Sequence, residues 1–211
     1  NWDRDWSVKI EVFCRCLERQ FYEDNLALNL FSNSIEINRP SHVREDWESD
    51  SNRRSEIRKE IEKKYSNQYD HSVHEEIHFE TEVIFKREKW KSGKLPREFQ
   101  HNESFIYARA FLYSLDSFDK FLKVLKSHKD APNSLADIYE KFGESFIDLR
   151  GVRNSSQHME DRSRGLGAGR NPKPLELKPI DNGFIKADGG ALVLNSLNGT
   201  KYGNTMSDGH Y

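Results

Sequence analysis

The stretch Phe105-Ile-Tyr-Ala-Arg-Ala-Phe-Leu-Tyr-Ser-Leu-Asp-Ser-Phe-Asp-Lys-Phe-Leu-Lys-Val-Leu125 decides the fold class. Within it Phe105, Ala108, Phe111, Leu115, Phe118, Leu122 and Leu125 recur every three or four residues. That spacing aligns one face of an α-helix and approaches a heptad seam, which needs a second helix to cover it. The chain supplies one after the short turn Asp130-Ala-Pro-Asn-Ser134, where Leu135, Ile138, Phe142, Phe146 and Leu149 again fall at helical spacing. Two strongly patterned helices joined by a short connection predict an antiparallel hairpin. The second is expected to run as one long helix through Leu149.

Upstream, Trp6, Ile10, Phe13, Leu17 and Phe21 mark a first helix ending near Phe31. Asn38-Arg-Pro-Ser41 breaks the chain, with Ser41 placed to cap the next helix. From Arg44 to Lys64, seven basic residues face seven acidic ones. The cancellation predicts an exposed helix or extension stitched by i,i+4 pairs, not an RNA-binding stripe. A helical pattern resumes from about Asp70 to Trp90, and Lys91-Ser-Gly-Lys-Leu-Pro96 reads as a loop.

Downstream the composition changes. Gly165-Leu-Gly-Ala-Gly169 and Asn171-Pro-Lys-Pro174 cannot extend a helix, and no Gly-Lys-Ser/Thr follows the glycines, so 164–174 reads as a flexible linker. Asp181-Asn-Gly183, Asp188-Gly-Gly190 and Asn198-Gly199 are hairpin signals between short apolar runs. The expected fold is mostly α: an antiparallel helical bundle over 1–163, a linker, and a small β-hairpin element over 175–211.

Charged residues make up 32% of the 211 positions and hydrophobic ones only 35%, favouring long helices with solvated faces. No apolar run approaches the roughly 20 residues of a membrane span. The opening residues Asn1-Trp-Asp-Arg-Asp-Trp6 hold no apolar signal region, and Cys14 and Cys16 are spaced so that they cannot bridge each other on a helix. A cytoplasmic protein with reduced thiols is the expectation. Formal net charge is -2, so contact with a polyanion must be local.

Two stretches carry chemistry. His74-Glu-Glu-Ile-His78 matches the pattern in which two histidines one turn apart bind zinc and Glu75 activates water. Glu76 stands where such helices carry an uncharged residue, and no third ligand follows, so a solvated helix face is the competing reading and His74, Glu75 and His78 are a weak metal candidate. The second stretch is Leu149-Arg-Gly-Val-Arg-Asn-Ser-Ser-Gln-His-Met-Glu-Asp-Arg162. It sets Arg153, Asn154 and His158 in a window running to Pro174 that holds six basic residues against two acidic ones. A permanent cation and an imidazole that titrates near neutrality are the minimum for phosphodiester cleavage without a metal. Arg150, Arg162 and Arg164 would grip the phosphates. Residues five apart differ by about 140° of helix rotation, so Arg153 and His158 do not share a face. Either the helix bends at Gly151 or this stripe faces a partner chain. Ordinary helix-end charge is the competing reading.

A bundle whose last long helix ends in Arg153-Asn-Ser-Ser-Gln-His158 resembles the HEPN superfamily (higher eukaryotes and prokaryotes nucleotide-binding domains), whose motif is Arg, four to six residues, then His. The resemblance covers about residues 1–163 as architecture and these six residues as motif. It implies a metal-independent endoribonuclease needing no cofactor, of toxin–antitoxin or antiphage type, with the cleft shared by two copies. RNA, a homodimeric partner and an antitoxin or other regulatory protein are the implied partners. His158 would move the proton of a ribose 2′-hydroxyl or of the leaving oxygen, Arg153 would stabilise the phosphorane, and Asn154 would orient one of them. Toxin members carry a Tyr where Glu160 stands. A non-catalytic interaction or nucleotide-sensing module of the same fold, and the zinc hydrolase, remain as alternatives.

Overall fold

A computed structural model describes residues 4–37, 40–65, 71–129 and 131–211. Its helices are α1 (Arg4–Ile37), α2 (Pro40–Glu62), α3 (His71–Lys91), α4 (Arg97–Lys126), α5 (Asn133–Ser145), α6 (Leu149–Gln157) and α7 (Met159–Ser163). Two small antiparallel ribbons follow, β1 (Ile180–Asp181) with β2 (Lys186–Ala187) and β3 (Ser196–Asn198) with β4 (Lys201–Gly203). The chain is mostly helical with small β elements, as the patterning predicts. None of the described helices is long and apolar enough to cross a membrane.

The chain divides into two compact units, Asn1–Ser32 with Phe105–Tyr211, and Asn33–Ser104. The sequence-based division placed one bundle over 1–163; the structure instead joins the C-terminal segment to the helices that carry Arg153. α1 continues six residues past Phe31, and α2 begins at Pro40, so Ser41 lies inside the first turn and not at its cap. Proline suits that opening position, where its missing N–H would have no partner. Asn38, Arg39, Asp70 and Asp130, which bear on the expected break, helix start and turn, fall outside the described residues.

In the 33–104 unit, the charged segment is more than a solvated extension. Ile57 and Ile61 of α2 are buried with Ile77 and Phe85 of α3 in one apolar cluster. Its ion pairs mostly cross between helices instead of running along one: Arg53 forks onto both oxygens of Glu88 at 2.8 Å, and Arg54 reaches Glu82 at 2.7 Å. The Arg54 guanidinium also lies 3.9 Å above the Phe85 ring. Two charge-rich helices can pair in this way because an arginine can lay its planar head on an apolar ring while still reaching a carboxylate.

In the other unit, α1 and α4 run antiparallel, with Phe13 and Phe121 rings 6.1 Å apart and Ser114 Oγ donating to the Gln20 carbonyl. Phe118 of α4 stacks on Phe142 of α5. The expected single final helix is broken. Phe146 leaves helical geometry (φ -130, ψ 55), Ile147 is 81% exposed, and α6 restarts at Leu149. The restart resets the helical phase, so Arg153 no longer simply extends the stripe of Phe142 and Phe146.

Residues 164–174 are not a free linker either. Gly167 donates to the Lys173 carbonyl and Leu175 to that of Gly165, folding the Gly/Pro segment back on itself. Asn198-Gly199 turns the β3–β4 ribbon as its sequence predicts, with Gly199 at φ 59.

Candidate functional site

α6 is a nine-residue helix whose Arg150 and Arg153 form ion pairs with α4. Arg153 is largely buried and donates Nη2 to Asp116 Oδ1 at 3.0 Å and Nη1 to Gln157 Oε1 at 2.8 Å, while its Nε has no partner. Asp116 is 4% exposed and also receives Lys120 at 2.6 Å. Burial would push its carboxyl up, but the hydrogen bonds and charge of Lys120 and Arg153 outweigh that and hold it below the usual carboxylate range. One turn earlier, Arg150 pairs with Asp119 at 3.2 Å. Asp116 and Asp119 lie on the helix carrying the seam and come to the site only through packing. A window drawn around Arg153 in the sequence does not reach them.

His158 closes α6 and opens α7, with φ -117 and ψ 43. Its N–H bonds the Asn154 carbonyl and its own carbonyl accepts from Arg162, while its imidazole is exposed with Nδ1 3.5 Å from Glu160. Asn154 is half-buried on the helix between them. No bend occurs at Gly151, since α6 runs unbroken from Leu149 to Gln157. That glycine serves another purpose: a Cβ there would lie 2.2 Å from Met206 Sδ. A side chain at 151 would require Met206 to move its thioether aside.

Of the three arginines expected to grip phosphate, the structure separates the roles. Arg150 is exposed beyond its pair with Asp119, and Arg164 is exposed and tied to Asp161 at 2.5 Å. Arg162 is a correction: it is 1% exposed and faces the interior. Its Nη1 donates to the carbonyls of Leu166 and Gly167 at 2.5 and 2.7 Å, and its Nε to Ser155 Oγ at 3.2 Å. Those carbonyls belong to the glycine-rich turn, so Arg162 staples that turn to the helices and offers nothing to solvent.

The zinc-type pattern is not assembled into a site. Arg58 Nη2 stands 3.1 and 3.3 Å from the two ring nitrogens of His74, where a metal would have to approach. His71 Nδ1 sits 3.7 Å from Glu75. Among the described residues, the one group of three whose ligand atoms lie mutually within 4.8 Å is His158, Glu160 and Asp161. Cys14 and Cys16 are free thiols.

A cavity of about 710 Å³ opens beside the motif, between α4, the α5–α6 turn, α6 and the β3–β4 ribbon. Leu149 and Val152 of α6 and Leu112 and Leu115 of α4 form part of its wall. Arg153 and Asp116 are the very next residues on each helix. Compared with known proteins, the chain matches no family model, no curated protein and no solved structure.

Proposed function

We propose that the chain is a metal-independent endoribonuclease or RNA-binding protein of HEPN type that works as a homodimer. The observation that carries this reading is the end of α6: Arg153 braced by the buried Asp116, and five residues on, at the helix break, a solvent-exposed His158. A braced guanidinium costs little reorganisation when charge develops on a phosphate, and an exposed imidazole can reach a proton on a bound ribose. Residues five apart differ by about 140° of ideal helix rotation, so in this reading a second copy completes the pair. In this reading His158 takes the 2′-hydroxyl proton or protonates the leaving 5′-oxygen, Arg153 stabilises the phosphorane, and Asn154 orients them. Arg150 and Arg164 contact flanking phosphates. A 2′-hydroxyl nucleophile confines the substrate to RNA. Toxin or antiphage action, with an antitoxin or other regulator as restraint, and a cytoplasmic setting belong to the same proposal.

The test is incubation with single-stranded RNA in excess EDTA. Cleavage that persists with chelator and disappears in Arg153→Ala and His158→Ala supports the nuclease. Loss of cleavage with EDTA refutes the metal-free mechanism.

One observation favours a second reading, a non-catalytic interaction or nucleotide-sensing module. Both Nη groups of Arg153 already donate inside the single chain, to Gln157 and Asp116, and the side chain is largely buried. RNA or nucleotide binding without cleavage under any condition supports that module.

A further inference from the structure

The cavity beside α6 combines three features that single out a class of ligand. At about 710 Å³ it falls within the range of small-molecule sites. Its apolar wall, mainly aliphatic, includes four aromatic side chains, Phe111, Phe146, Tyr202 and Tyr211. Its rim carries hydrogen-bonding groups of both kinds, among them Asp148, Asn198, Thr200 and Lys201.

The rings are fixed in advance. Tyr202 Oη bonds Asn195 Oδ1 at 3.1 Å and lies 3.2 Å from Ser156 Oγ, and Tyr211 Oη lies 2.5 Å from Ser196 Oγ. With their hydroxyls engaged, the tyrosines keep ring surface for packing. Gly203 preserves this arrangement, because a Cβ there would meet the Tyr211 ring at 2.9 Å. Phe146 belongs to the α5–α6 turn and is 38% exposed, so its ring is accessible from solvent.

A flat heterocycle gains from stacking on such rings, and its polar edge can be read by amide, hydroxyl and carboxylate groups. Lys201, exposed at the mouth, suits an attached phosphate. We propose that this cavity is a base-binding subsite that takes one nucleotide of single-stranded RNA next to the phosphate held at Arg153. The proposal rests on the RNA reading above and adds to it a specificity element built by the β3–β4 ribbon, which the HEPN resemblance does not cover. Leu115 and Val152 of the cavity wall each immediately precede a member of the Asp116–Arg153 pair, which lies about 100° further around both helices.

The test uses the four ribonucleoside 5′-monophosphates, titrated calorimetrically into the purified full chain, and their inhibition of RNA cleavage or RNA binding. Saturable binding is expected, competitive with RNA. Phe146→Ala should weaken it by about tenfold, the lower part of the range for losing one stacking platform. Lys201→Glu, on the surface and safe for folding, should weaken the monophosphates while leaving the corresponding nucleosides nearly unchanged. Mononucleotide binding with no RNA cleavage sinks the nuclease and leaves the subsite standing. RNA cleavage with no mononucleotide binding at millimolar concentration, or binding indifferent to both Phe146→Ala and Lys201→Glu, overturns the subsite. Binding that fails to compete with RNA overturns its assignment to RNA.

Discussion

Asp24 of α1 is 8% exposed, and its Oδ1 has no hydrogen-bond partner. Burial is the largest influence on it and, with the nearby Glu23 charge, lifts its pKa to about 6 despite the opposing effect of the neighbouring Ser114 hydroxyl. The sign of the effect follows from proton linkage. The folded chain holds this proton more tightly than the unfolded one, so the contribution to stability is full below the unfolded value of 3.8 and is lost as pH rises through about 6. A shift of that size corresponds to about 3 kcal/mol at most. Asp24→Asn is therefore expected to raise the urea midpoint at pH 7.5 and leave it nearly unchanged at pH 4; equal effects at both pH values would refute the assignment. Asp116 behaves in the opposite sense, its ion pairs weakening as pH falls through its lowered pKa. Arg162 offers a second contrast with a neighbour. Arg162→Ala strands two carbonyls and opens a cavity, and should cost about 2–4 kcal/mol in urea unfolding. Arg164→Ala removes an exposed pair and should cost no more than about 0.5 kcal/mol.

At the scale of elements, Gly151 is where α6 meets Met206. Alanine normally gains about 1 kcal/mol over glycine inside a helix. Here the added methyl would lie 2.2 Å from Met206 Sδ, so the flexible methionine side chain must shift to admit it. Gly151→Ala should therefore gain less than about 1 kcal/mol, and Met206→Ala placed in the same chain should recover the rest of the helix gain. A double-mutant cycle with no coupling would show that the C-terminal segment does not rest on α6. Much of the element pattern was legible beforehand. The seam from Phe105 to Leu125 announced α4, and Asn198-Gly199 announced the β3–β4 turn, because both signals are local. The break after Ser145 was not, since Phe142, Phe146 and Leu149 keep helical spacing across it and nothing local marks Ile147 as a turn. The motif Arg153-Asn154-His158 was readable as letters. Its braces Asp116 and Asp119, some thirty residues upstream, were not, because only packing brings them there. Nor could spacing distinguish Arg162, which turns inward, from Arg164, which does not.

Over the whole molecule, electrostatics limits how RNA could be held. Net charge is -2, so there is no general field to gather a polyanion. The local excess between Arg150 and Pro174 is smaller in space than in sequence. Asp119 and Asp116 draw on Arg150 and Arg153, Asp161 holds Arg164, and Arg162 is sealed inside. Arg170, Lys173 and Lys201 have no acidic partner among the described residues, but Arg170 and Lys173 belong to the 164–174 turn whereas Lys201 opens β4. Binding by this surface would then neutralise about two or three phosphates, and each contributes about 0.7 to the salt slope for a single strand. A plot of log K against log salt for single-stranded RNA on the His158→Ala protein is expected to fall with a slope of about -1.5 to -2. The bulk of the affinity would come from stacking and hydrogen bonds, which salt scarcely touches. A slope near -5 or steeper would mean that about seven or more cations meet the strand. No single copy of the described surface supplies so many at this site, so such a result would move the RNA path elsewhere and take the role assigned to α6 with it.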